Sequence, residues 1–160
     1  MGHGPVRPAG MEDLDGLLEL YRHLNPGDPP PGRADAEAAW RALLGSGLTT
    51  VFLAEEARRP VASCTLVIVP NLTRGARPYG VIENVVTHAE HRRQGLGRSV
   101  LSAALDAAWA ARCYKVMLAT GSRQEATLRF YEAAGFERGG KTFFQARRLE
   151  AGSPGRTSGH

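Results

Sequence analysis

A chain of 160 residues is long enough for one compact domain with a substantial core. Its composition is ordinary for a globular protein, 42% hydrophobic and 22% charged, and no apolar run reaches the ~18 residues of a membrane span. The net charge of +4 favours anionic ligands in general, but the basic residues are scattered rather than banked beside aromatic platforms, which argues against nucleic-acid binding.

The segment "PVRPA" near the start predicts a short strand. Leu14, Leu17, Leu18 and Tyr21 then recur at helical spacing and predict an amphipathic helix over residues 11–24. The prolines of "NPGDPPPG", Asn25 to Gly32, exclude a regular helix or a central strand. Ala36, Ala39, Trp40, Leu43 and Leu44 mark a second helix. "LTTVFLAE" and "PVASCTLVIV" read as strands joined by the turn "EARR", and "YGVIENVVT" as another strand after the loop "PNLTRGARP". A helix follows to about Arg112, with an apolar face of Leu96, Val100, Leu101, Ala104, Leu105 and Ala108. "YKVMLATG" is the next strand, and "QEATLRFYEAA" a helix stopped by Gly135. "FERGGKTFFQARRL" predicts one or two closing strands turning at Gly-Gly, and "AGSPGRTSGH" has the composition of a disordered tail.

This order mixes an antiparallel meander with one parallel crossover, from about 79 to 120, and so implies an α/β fold with helices on both faces of a mixed sheet. One domain spans residues 1–150, with 151–160 as tail. The N-terminal "MGHGPVRPAG" lacks the apolar centre of a secretory signal. Cys64 and Cys113 lie in apolar segments with no Cys or His at ligand spacing, so neither a disulfide nor a metal site is expected, and a reducing cytoplasm is the default.

The stretch "HRRQGLGRSV", His91 to Val100, places Gly95 and Gly97 among Arg92, Arg93 and Arg98 directly before the helix. The first N–H groups of a helix have no intrahelical partner, and the helix dipole adds partial positive charge there, so an anion such as phosphate suits this end. Glycine lets a ligand approach the backbone and permits positive φ. No Gly-Lys-Ser/Thr follows, so this is not a Walker loop; Val100 stands where a dinucleotide fingerprint needs its third glycine. A tight strand-to-helix turn is the other reading.

"VIENVVTHAEHRRQGLGRSVL" resembles the acetyl-CoA-binding motif of the GNAT N-acetyltransferase superfamily, Arg/Gln-x-x-Gly-x-Gly/Ala after a strand. A second motif, "LRFYEAAGF" from Leu128 to Phe136, stands at that family's usual distance. The resemblance covers nearly all of residues 5–149. It implies the GNAT fold, with a mixed, mostly antiparallel sheet of six or seven strands flanked by four helices, and acetyl-CoA as co-substrate without a metal. The backbone of Val85, Val86 and Thr87 would pair with the pantetheine arm. The amides of Arg93, Gln94, Gly95, Leu96, Gly97 and Arg98 would hold the pyrophosphate. Tyr131 matches the family tyrosine facing the cofactor sulfur. Gln124 stands where the family often has a cofactor-contacting Asn. "ASCTLVIVPN", "IENVV", "CYKVML" and "KTFFQARR" are similar to stretches of glucosamine-6-phosphate N-acetyltransferases, in patches. "KTFFQARR" also resembles their dimer-forming C-terminal strands and implies a homodimer.

Acetyl transfer needs a neutral amine, alignment, an oxyanion donor such as the N–H of Val86, and an acid for the leaving thiolate. Tyr131, with a phenol ordinarily near ~10, suits the acid; otherwise it is part of an amphipathic helix face. Glu83, a charge in an apolar strand, is the candidate base, with a solvent-facing carboxylate or a water chain as alternatives. Strict alternation puts Glu83 and Val85 on one face and Asn84 and Val86 on the other. His88 and His91 read as surface loop residues, and His23 as a helix-end residue or substrate contact. The loops 25–32 and 70–79 are candidates to frame the amine substrate. Arg74, Arg77, Arg129 and Lys141 would bind an acidic group on it if they converge. The expected reaction is acetylation of a small-molecule amine: an amino sugar, amino acid, polyamine or antibiotic. A protein N-terminal or lysine acetyltransferase, or a non-catalytic acyl-CoA-binding module, are the alternatives.

Overall fold

The computed structural model describes residues 5–148. A single sheet runs in sequence order through β1 (Arg7–Pro8), β2 (Thr49–Glu56), β3 (Arg59–Val69), β4 (Tyr79–Thr87) and β5 (Val116–Leu118). Neighbours are antiparallel from β1 to β4, whereas β4 and β5 are parallel. A 3₁₀ turn at Met11–Asp13 leads into α1 (Leu14–Tyr21), and α2 (Arg33–Gly45) follows the proline loop. A single distorted turn, α3 (Thr73–Ala76), precedes β4. The long helix α4 (Leu96–Ala110) forms the crossover from β4 to β5, and α5 (Glu125–Ala133) closes the order.

Each face of the sheet is covered because its helices carry an apolar stripe. Leu96, Val100, Leu101, Ala104 and Ala108 of α4 are buried against Phe52, Cys64, Leu66 and Ile82. Their spacing is the i, i+4 repeat of one helix face, and the alanines let the helix lie close to the strands. On the opposite face Leu14, Leu17 and Leu20 of α1, with Trp40 of α2, pack on Val51, Leu53 and Val86. The β2–β3 hairpin turns through Ala57 and Arg58, both at positive φ (48° and 64°), which matches the right-handed twist of its strands. β1 is pinned by charge: Arg7 makes two 2.8 Å hydrogen bonds to buried Asp13 and also bonds Glu55.

The α/β fold agrees with the expectation, but the strand count does not. Five strands form, not six or seven, and residues 137–148 make no strand. Local β preference is not enough, because a strand exists only with a partner ladder for its backbone. β5 is three residues long, and the segment passes it unpaired after Gly139 (φ 88°) and Gly140 (φ 76°). No layer covers its aromatic residues: Phe143 and Phe144 are 68% and 85% exposed. The tail expected to be disordered, 151–160, lies outside the described residues.

Candidate functional site

The parallel ladder between β4 and β5 ends at Ile82–Leu118, yet β4 continues through residues 83–87. The two chains splay apart from that point. A cavity of about 420 Å³ opens in the splay, walled by Glu83 on β4, by residues 119–123 after β5, and by Phe143, Gln145 and Arg147 of the terminal segment. Arg123 lies on its second wall. Glu83, Arg123 and Arg147 thus line one cavity large enough for a small polar molecule.

β4 is irregular where the splay begins. Thr65 pairs with Glu83 and Ser63 with Val86, so Asn84 and Val85 together oppose the single residue Cys64. Asn84 takes φ 54°, the signature of a bulge. This overturns strict alternation. Val86 packs into the cluster under α1, and Val85 against the α4 cluster. Glu83 therefore shares its face with Val86 and not with Val85, on the side covered by α1.

Beyond Thr87 the chain makes a 3₁₀ turn, Ala89–His91, and reaches α4 through the glycine loop. Gly95 caps the helix in the left-handed region (φ 77°), and a Cβ there would meet nothing within 4 Å. The first i→i−4 bond of the helix is Ser99 N–H to Gly95 O at 3.0 Å. The N–H groups of Leu96, Gly97 and Arg98 precede it and have no place in the helical ladder. The side chains of Arg93, Gln94 and Arg98 are exposed around this end, whereas that of Leu96 is core.

Gly97 has a different reason for being glycine. It is buried at helical φ, and a Cβ there would stand 3.0 Å from Phe130 Cζ and 3.3 Å from Thr87 Oγ1. The second glycine of the loop is a packing residue between α4, α5 and the end of β4. Phe130 in turn makes an edge contact with Tyr131, ring centroids 5.0 Å apart. Tyr131 is half-buried against the α4-side core, and burial pushes its phenol above the ordinary tyrosine value. Gln124 is the exposed N-cap of α5, and its side chain makes no cap bond.

The histidines pack ring against ring, tilted and edge-on, rather than standing as loose surface groups. The rings of His23 and His88 are 4.0 Å apart, and those of His88 and His91 5.2 Å. His23 Nδ1 accepts from Ala89 N–H at 3.4 Å, His88 Nδ1 caps the 3₁₀ turn at Glu90 N–H, and His91 Nε2 bonds Glu56. They tie the end of α1 and the β2–β3 turn to the start of the glycine loop. Burial, then the charge of His88, holds His23 below its ordinary value.

Of the cations singled out in the sequence, none lines the cavity. Arg74 and Arg77 flank the Tyr114 ring at 5.8 and 5.9 Å, and Arg129 pairs with Glu125 at 3.5 Å. Neither the proline loop nor loop 70–79 borders it. Arg123 and Arg147 do, and nothing local in the sequence separates them from other surface arginines. No cluster of metal-ligating side chains exists among the described residues.

The model of the acetyltransferase (GNAT) family matches residues 14–136. A glucosamine 6-phosphate N-acetyltransferase of Trypanosoma brucei brucei is 36% identical over 131 residues, 82% of this chain and 87% of that protein. The structure of a candidate acetyltransferase from Agrobacterium tumefaciens str. C58 matches with a TM-score of 0.86 at 50% identity, covering 91% of this chain and 100% of that one. A glucosamine-6-phosphate N-acetyltransferase from Arabidopsis thaliana shares the fold, with a TM-score of 0.81 at 21% identity over 94% of this chain and 100% of its own.

Proposed function

The chain belongs to the acetyltransferase (GNAT) family and is an N-acetyltransferase; from that premise we propose that its amine substrate is a small acidic molecule, an amino-sugar phosphate such as glucosamine 6-phosphate. The observation that carries this reading is the cavity in which Glu83 faces Arg123 and Arg147. A carboxylate suits an ammonium group, and two guanidiniums suit a phosphate, which they bind in a planar fork.

Acetyl-CoA supplies the activated acetyl thioester. The glycine loop fits its pyrophosphate: free N–H groups at the start of α4, open space over Gly95, and exposed Arg93 and Arg98. Backbone groups of Gln94, Leu96 and Gly97 complete that cradle. Val85, Val86 and Thr87 form the length of β4 that β5 leaves, and their backbone is the edge on which an extended arm would lie. Gln124, at the start of α5, would meet the cofactor from the other side.

Glu83 takes the proton from the substrate ammonium at a carboxylate oxygen, so that the amine lone pair is free to attack. Tyr131 donates its phenolic proton to the departing sulfur. Burial keeps that phenol protonated throughout the neutral range, as an acid requires. The same reading includes a homodimer, supported by the unpaired terminal segment and its exposed Phe143 and Phe144. It also includes a cytoplasmic setting, where acetyl-CoA and free thiols such as Cys64 and Cys113 coexist.

The test is thiol release from acetyl-CoA against a panel of amines. Glucosamine 6-phosphate should outpace glucosamine by more than tenfold, and Arg147→Ala should raise KM for the phosphorylated sugar by a similar factor. Equal rates with both sugars would refute an acidic substrate. Silence across the panel, with acetyl-CoA binding intact by calorimetry, would move the assignment to a protein substrate or a non-catalytic module. Light scattering checks the dimer: Phe144→Asp should yield monomer where the native chain yields dimer.

A further inference from the structure

The face of the sheet under α1 is apolar except at one place. Leu17, Leu20, Val51, Leu53 and Val86 fill it, but Ser63 and Thr65 on β3 point into the same face. Both are closed off from solvent, at 0% and 5% exposure, and neither hydroxyl meets hydrogen-bond geometry with a partner among the described residues. Enclosed hydroxyls without partners are costly, so the arrangement calls for an explanation.

The neighbours supply one. Tyr21, the last residue of α1, is partly buried, and its phenol lies against the hydroxyls of Thr65 and Ser63. Thr65 faces Glu83 directly across the β3–β4 ladder, on the same side of the sheet. Facing residues in such a pair have Cβ atoms about 4.5–5.5 Å apart, within reach of a hydroxyl and a carboxylate. A row of polar groups therefore runs Ser63, Tyr21, Thr65, Glu83.

The donor inventory gives this row a direction. Each hydroxyl has one proton to donate, whereas an ionised carboxylate only accepts. A row ending on Glu83 would satisfy all three hydroxyls: Ser63 O–H would donate to Tyr21 Oη, Tyr21 O–H to Thr65 Oγ1, and Thr65 O–H to a Glu83 oxygen. Side-chain adjustments that bring these oxygens within hydrogen-bond distance would complete it, and each bond would polarise the next.

We propose that Tyr21 and Thr65 are positioning residues for Glu83: Thr65, oriented by the Tyr21 phenol, donates to the Glu83 carboxylate and holds it ionised and aimed into the cavity. This rests on the reading of Glu83 as the base. Burial pushes the Tyr21 phenol up, so it remains a donor at every working pH. Arg123 and Arg147 are the charged groups that share the cavity with Glu83.

The test compares Thr65→Val, Thr65→Ser, Tyr21→Phe and Glu83→Gln as full-length proteins, each checked for native circular dichroism. Thr65→Val keeps the shape and removes the donor. It should lower kcat about tenfold, leave the substrate KM within twofold, and move the acid limb of the kcat/KM profile to higher pH. The direction follows because loss of a hydrogen-bond donor to a carboxylate disfavours its charged form. Tyr21→Phe should do the same to a smaller degree, Thr65→Ser should restore both readouts, and Thr65→Val in a Glu83→Gln background should cost nothing further. If Glu83→Gln abolishes the acid limb while Thr65→Val and Tyr21→Phe leave it unmoved, the base stands and the positioning proposal falls. If Glu83→Gln itself leaves the limb and kcat intact, the base reading fails and the proposal with it.

Discussion

Gly97→Ala tests whether the two glycines of the loop do different work. The added methyl would stand 3.0 Å from Phe130 Cζ, 3.4 Å from Phe130 Cε2 and 3.3 Å from Thr87 Oγ1. Alanine in a helix gains roughly 0.5–1 kcal/mol over glycine, while overpacking costs about 1–3 kcal/mol, so the expected net loss is about 1 kcal/mol. For a chain of this size that lowers Tm by about 2–4 °C. The ring gives way because the backbone of α4 is fixed by its buried stripe, and Tyr131 moves with Phe130. Turnover should therefore fall more than acetyl-CoA affinity does. Gly95→Ala should behave in the opposite way. It meets no atom, but it forces a side chain into φ 77°, at a cost of about 1–2 kcal/mol, and reshapes the loop itself, so KM for acetyl-CoA rises. Thermal melts and initial rates at varied acetyl-CoA separate the two. A Gly97→Ala, Phe130→Leu double variant should recover about 1 kcal/mol relative to the sum of the single changes. Strict additivity, or a Gly97→Ala protein as active and stable as the parent, would refute the packing explanation.

Tyr131→Phe should cut turnover about 100-fold and leave acetyl-CoA affinity within about twofold, measured by rates and calorimetry. Asp13→Asn should lose about 2 kcal/mol in urea melts at pH 7, since it breaks the bonds to Arg7 and a 2.7 Å bond from Gly10 N–H. The Arg7 guanidinium holds the Asp13 carboxyl below its ordinary value, so this stability is present above the unfolded value of about 3.9 and is lost as pH falls through the lower folded one. The gap between parent and variant should thus close between about pH 4 and more acid conditions. Burial pushes the Cys64 thiol up to about 12, and iodoacetamide at pH 8 should leave it unmodified in the native protein by mass spectrometry, with full labelling once unfolded.

Helices and long strands were legible because their signal is local and repeats. The stripe from Leu96 to Ala108 predicts one buried face, and that face is buried. The apolar runs of β2 and β3 likewise carry their own pattern. The absence of closing strands was not legible, because Phe143 and Phe144 state a preference without naming a partner, and the edge they would need is only the three residues of β5. The glycine loop was half legible. Positive φ and a helix start explain Gly95, but the demand on Gly97 comes from Phe130, more than thirty positions away, and a spacing rule does not contain that contact.

The site shows the same division more sharply. Glu83 stands out in the sequence as a charge among apolar neighbours, and the cavity wall is where such a charge belongs. Which residues share its face depends on one backbone dihedral, the φ of 54° at Asn84. Without that bulge, Glu83 would sit with Val85 and Thr65 would still face it, but Val86 would turn away from α1. With it, Val86 enters the α1 core and fixes β4 from that side, while Glu83 keeps its Thr65 partner and its view of the cavity. Asparagine tolerates that dihedral better than most residues, yet many strand asparagines never adopt it. The bulge decides which core takes which valine: with one extra residue after Glu83, Val85 enters the α4 core and Val86 the α1 core, on the same side as Glu83, whereas regular alternation would exchange them.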